Sequence, residues 1–208
     1  MDPEKLKLKS HFFLKKHSIP INESLPLIET IDELSPQDSK SVAQRIIILN
    51  HVIGIGFDAY PKKLLNALIE FDLLNFASTQ ERSLLSKKKH TDQEKIDATW
   101  QIECVQSLAW CLGLVDFNPL NDCDDNLASH FPKPYCEPKD FIESVKLRRW
   151  DEIFEQADLH YRIHWAARDS RLKSAESPVQ EGLISERRKA LDWVIGVEQD
   201  WDEIPLDT

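Results

Sequence analysis

Ionisable side chains stand in this chain where a helix should be apolar. In WDEIFEQADLHYRIHWAARDSRL (residues 150–172), stepping about 100° per residue puts Trp150, Ile153, Phe154, Ala157, Tyr161, Trp165 and Leu172 on one stripe. His164 and Arg168 fall inside it. A second run has Gln180, Leu183, Ile184, Leu191, Val194 and Ile195 on its inward stripe, with Arg187 in the middle and Glu186 and Trp193 on a neighbouring flank. A third inward group, Glu103, has apolar neighbours on both sides. An unpaired buried charge costs several kcal/mol, so each arginine must meet an acid or an anion.

Two readings follow for Glu103, His164, Arg168, Glu186 and Arg187, with Trp165 and Trp193 beside them. They form a closed network in which the glutamates neutralise the arginines. Alternatively they line a pocket for a small anionic ligand, since two arginines and a protonated histidine exceed the nearby acids. If that pocket were catalytic, the arginines would clamp a phosphate or carboxylate, Glu186 or Glu103 would act as base, and His164 would donate a proton.

Other constellations carry less. His160 and His164 have an H-x3-H spacing that can bind zinc, but the metalloprotease version needs Glu where Tyr161 stands. Cys123, His130 and Cys136, with Asp122, Asp124 and Asp125, lack the paired spacing of zinc sites. No serine-nucleophile, Walker or dinucleotide fingerprint is present. Neither a metal nor a cofactor is expected.

These residues need helices to position them. The 208 residues, 41% hydrophobic and 30% charged with five glycines, describe an all-α bundle in a single domain (1–208). Residues 1–35 are expected as a more loosely packed extension containing a helix over 3–17. Ser35-Pro36 opens a helix to about residue 53, with Pro36 at its first position, and Pro61 starts another. Capping boxes at Ser78/Glu81 and Thr91/Glu94 start two more. The helix over 92–113 is apolar nearly all round and is expected at the centre, stopped by Gly113. A proline-rich loop spans 118–138. Helices over about 141–173, with a break near Lys146, and 179–196 close the bundle. Trp201 and Ile204 pin an extended tail.

Charge narrows the partners. Asp and Glu number 36 against 26 Lys and Arg, a formal charge of −10, which opposes nucleic acid. The run Lys87-Lys88-Lys89-His90 reads as a solvated loop. No segment approaches 18 apolar residues, so no membrane partner is expected. The amino terminus lacks the core of a signal peptide, and the four cysteines lack CxxC spacing; both suit reduced thiols in the cytoplasm.

The run DLHYRIHWAARDSRL, then GLISERRKALDW, then DWDEIPLDT, resembles the C-terminal half of a bacterial family catalogued as domain of unknown function 4272. ATWQIECVQSLAWCLGLVD resembles that family's central helix. The motif positions are Trp100, Glu103, Trp110, Gly113, Tyr161, His164, Trp165, Arg168, Glu186, Arg187, Arg188, Trp193, Trp201 and Asp202, within a resemblance running from about Ile46 to Thr208. It implies an all-helical bacterial protein and carries no activity. The leading expectation is a non-enzymatic protein-interaction or small-ligand-binding protein, of the kind in which an acidic immunity protein blocks a basic toxin. The alternative is an enzyme acting on an anionic substrate.

Overall fold

Local capping chemistry decides where the helices begin. A computed structural model describes residues 2–177 and 179–208, and among them are eight α-helices and no strand. They are α1 (Pro3–Lys16), α2 (Ser39–Gly56), α3 (Pro61–Glu70), α4 (Thr79–Ser86), α5 (Asp92–Cys111), α6 (Lys139–Ser144), α7 (Trp150–Leu172) and α8 (Glu181–Ile195). Both capping boxes form, each with its side chain and backbone bonds reciprocated. Pro61 holds the first turn of α3. Gly196, at φ +86°, ends α8 in the left-handed conformation that glycine adopts without strain.

The start of α2 departs from the expectation. Asp38, not Ser35, caps it, accepting from the Ser41 amide at 2.7 Å. Pro36 lies outside the helix because Gln37 gives its amide to the Val194 carbonyl at 2.9 Å. That bond ties the approach to α2 onto the end of α8.

The helices pack in a spatial series. α1 lies on α7, α7 on α8, α8 on α5 and α5 on α2, while α3, α4 and α6 cover the rest of α2. The helix buried along most of its length is α2, where Val42, Ala43, Ile46 to Leu49, Val52 and Ile55 are all covered. The expected central helix, α5, is continuously buried from Glu103 to Cys111, with Ala98 the one buried residue before that run. Ile96 and Trp100, on its amino-terminal half, are 49% and 36% exposed. Composition marks both sides of a helix as apolar without saying whether a neighbour covers both.

The helix expected over 141–173 is interrupted, as α6 and α7. The intervening Arg148 donates its amide to the Cys111 carbonyl at 2.8 Å and its Nε to the Trp110 carbonyl at 2.7 Å. Those are carbonyls that the end of α5 cannot satisfy within its own helix. α7 is then buried on two sides, since α1 and α8 flank it. Asp158, His160, Arg162 and Ile163 are covered as well as Ile153, Phe154 and Ala157, whereas Leu172, expected inward, is exposed. Leu6 and Leu14 of α1 are buried, and its Ser10 hydroxyl donates to Asp158 at 2.5 Å. In the tail Trp201 and Ile204 are buried against the main core.

Candidate functional site

Glu103 and Arg187 meet. Arg187 approaches one carboxylate oxygen of Glu103 through Nε at 2.8 Å and Nη2 at 2.7 Å, linking α8 to α5. Its Nη1 donates to the Asn118 carbonyl at 3.0 Å, and the Phe117 ring lies 5.2 Å from the guanidinium. The other Glu103 oxygen accepts the Cys123 amide at 3.3 Å. Neither side chain is more than 6% exposed. A buried ion pair is tolerated when its remaining donors and lone pairs are also met, and here the loop after α5 meets them.

The other residues expected in one cluster go elsewhere. Consecutive α8 residues point about 100° apart, so Glu186, Arg187 and Arg188 serve three neighbours. Glu186 faces Cys104, whose thiol lies 3.1 Å from its Oε2 and 3.2 Å from its backbone carbonyl. Burial raises the Glu186 carboxyl above the usual range, against the Cys104 hydrogen bond. Arg188 reaches Asp192 at 2.9 Å, the Asp207 carbonyl at 2.9 Å and His164 Nδ1 at 3.1 Å. A guanidinium only donates, so His164 Nδ1 is the acceptor and the ring is neutral. Burial, then Arg188, lowers His164 to about 4. Burial also lifts Asp192 to about 6, outweighing Arg188.

Arg168 is half-buried and makes no hydrogen bond or ion pair among the described residues. Trp165 packs half-buried against the core shared by α1, α7 and α8. Trp193 stands in a different neighbourhood, edge-on to Trp201 at 5.5 Å. The structure therefore brings Glu103 and Arg187 together and distributes the other five residues around the bundle.

Three further buried ion pairs lay outside the inward stripes. Asp158 and Arg162 pair at 2.7 Å and Arg188 and Asp192 at 2.9 Å, each within one helix at i, i+4. That spacing is legible in a sequence. Arg45 and Glu81, at 2.7 Å, lie 36 residues apart and carry no such signal. Glu81 is also the capping-box acid of α4, accepting the Ser78 amide at 2.7 Å. The Arg45 guanidinium sits 5.2 Å from the Trp193 ring and 4.9 Å from the Trp201 ring.

The two weaker metal constellations are likewise separated. His160 stacks on Phe117 at 4.9 Å and gives Nδ1–H to the Gln156 carbonyl, while His164 serves Arg188. Cys123 is half-buried, its thiol pushed up to about 11 mainly by burial, and Cys136 is exposed. Among the described residues, no three of His, Cys, Asp and Glu come together as metal ligands.

A cleft of about 490 Å³ opens where α4, α5, α8 and the tail meet. Its lining includes Glu81, Asp97, Gln101, Lys189, Trp201 and Asp202. Lys189 lays its ammonium 4.8 Å from the Trp201 ring. Glu81 is neutralised by Arg45, and Glu94 by Lys87. Asp97 and Asp202 have no ion pair among the described residues; Asp97 accepts Gln93 Nε2 at 2.7 Å and Asp202 the Gln80 amide at 2.9 Å. Behind them, Gln101 reaches Glu186 at 3.4 Å. The wall is net negative.

A second cleft, of about 310 Å³, touches Arg187 but is also lined by Asp116, Asp122 and Asp124. With Arg187 already held by Glu103, those three carboxylates oppose an anion.

Comparison with known proteins gives one match. No curated protein and no solved structure matches the chain. A family model described as "Domain of unknown function (DUF4272)" matches residues 6–204, extending the sequence resemblance some forty residues toward the amino terminus and through α1 and α2. The chain belongs to the DUF4272 family.

Proposed function

We propose that this chain is a non-enzymatic binding protein whose cleft between α4, α5, α8 and the tail takes a positively charged ligand, an amine or guanidinium carried by a small molecule or by a basic partner protein. The observation that carries the reading is the pair Asp97 and Asp202, two carboxylates on one cleft without a cation of their own. The cleft's volume lies in the range of small-ligand sites. Its walls come from α2, α4, α5 and α8 and a segment pinned by Trp201, so the groups are held in place before a ligand arrives. The chain's formal charge of −10 favours the approach of a basic partner.

The anionic-ligand and enzymatic readings have less behind them. Both place Arg168 and Arg187 around one anion, yet Arg187 is fully buried against Glu103, and Arg168 shares no hydrogen bond or ion pair with either among the described residues. Glu186 and His164, the base and acid of the enzymatic version, face Cys104 and Arg188.

Calorimetric titration of the full chain with spermidine at low salt tests the proposal. Saturable binding is expected. The double variant Asp97→Asn/Asp202→Asn should bind roughly tenfold more weakly at an unchanged melting temperature, the two charges together contributing about 1.4 kcal/mol. Wild type failing to bind both spermidine and an oligolysine peptide, or the variant binding as tightly as wild type, would refute it.

A further inference from the structure

The most basic segment of this acidic chain is α1, with Lys5, Lys7, Lys9, Lys15 and Lys16 against the single acid Glu4. One side of the helix is committed to the fold: Leu6, Ser10 and Leu14 are buried, and Ser10 bonds Asp158 of α7. The opposite side carries Leu8 at 66% and Phe12 at 74% exposure, one turn apart. Lys5, Lys9, Lys15 and Lys16 all lie within about 100° of Leu8 around the axis, as does the single acid, Glu4, so the face is net positive. Two large apolar side chains thus form the summit of an outward helix face, and lysines flank them.

We infer that this face of α1 docks on an anionic membrane surface. Lysines around an apolar summit keep their ammonium groups at the headgroup level while their stems and the apolar residues enter the interface. A helix lying in that plane needs no spanning segment, and no helix of the described residues is long and apolar enough to cross a membrane. The chain's net negative charge is no obstacle. At 0.1 M salt the Debye length is about 10 Å, so the bilayer responds mainly to the charges facing it. Lys9 pairs with Glu155, and Lys5 lies 3.8 Å from Asp2, but both lysines are highly exposed and free to exchange those partners for phosphates. Lys15 and Lys16 have no ion pair among the described residues.

An acidic protein groove fits this face less well. Groove-bound helices present apolar anchors at i, i+3, i+4 and i+7, and on this face two of those four positions are Lys5 and Lys9. Leu8 and Phe12 alone reach outward.

The test is sedimentation of the full chain with phosphatidylcholine vesicles, with and without phosphatidylserine. Binding is expected only where phosphatidylserine is present, and it should fall as salt rises. Lys15→Gln and Lys16→Gln should each weaken it about fivefold. Leu8→Ser/Phe12→Ser should abolish it with the melting temperature unchanged, because both side chains are outside the core. Absence of binding, equal binding to both vesicles, or binding indifferent to Leu8→Ser/Phe12→Ser would each overturn the inference. Equally tight capture by an acidic polyglutamate peptide would reassign the face to a protein partner.

Discussion

Arg187 shows what a buried charge does here. It joins α8 to α5 and to the loop after α5 by two hydrogen bonds and an ion pair, and its side chain is buried. Arg187→Met should strand the Glu103 carboxylate and cost about 3–5 kcal/mol in urea unfolding. Glu103→Leu/Arg187→Met should recover more than half of that loss, since removing both charges leaves none to desolvate. His160 makes a second prediction. Its ring is buried against Phe117, Nδ1 is engaged and Nε2 has no partner among the described residues. Burial, followed in size by a partly offsetting backbone hydrogen bond and by Arg187, brings its pKa down to about 3 from an unfolded value of 6.5. The unfolded chain therefore takes a proton that the folded chain refuses between those limits. Stability from this group is full above pH 6.5 and declines as pH falls toward 3, by about 1.4 kcal/mol per unit. His160→Phe, which keeps the stacked ring, should flatten that part of the pH profile. A parallel profile in the two proteins would contradict it.

Among the elements, the contact of the end of α2 with α5 depends on a missing side chain. A methyl on Gly56 would collide with Thr99 and come 2.8 Å from the Lys95 carbonyl. Gly56→Ala should cost about 1–3 kcal/mol, as overpacking does. Gly182, near the start of α8, has open space around it. Gly182→Ala should instead stabilise by about 0.5–1 kcal/mol, and thermal melts of the two variants should move in opposite directions. The helices themselves were legible because their starts and stops are local: Ser78 with Glu81, Thr91 with Glu94, Pro61 and Gly196 each act within a few residues. Their burial was less legible. Leu172 shares a stripe with Phe154 yet stands in solvent, because α7 runs past the end of its neighbours' cover. The inward polar residues were identified by type and partly by place, with Glu103, Arg187 and His164 all buried. Their partners were not, since a 3.6-residue period fixes a direction from one helix axis and not which helix waits there.

For the whole molecule, charge is divided between surfaces. Among the described residues, buried charges close on one another in four separate pairs, and His164 bonds the arginine of one of them, Arg188. Unpaired carboxylates line both the α4–α5–α8 cleft and the smaller cleft beside Asp116, and lysines gather on α1. The pocket expected from the sequence was one for an anion, around Arg168 and Arg187, and the acidic sign of this cleft was not read from it. The cleft itself was invisible in the sequence because Gln80 and Asp202, bonded across it, are 122 residues apart. Its binding of a cation is the central claim, and the spermidine titration tests it most directly when read by nuclear magnetic resonance of the tryptophan indole and glutamine side-chain signals. The Trp201 indole and Gln101 amide should shift together and saturate, while the Trp165 indole, on the α1 side of the bundle, stays in place. Shifts confined to the loop around Asp116, Asp122 and Asp124, or small and uniform over all six tryptophans, would contradict the assignment of the cleft.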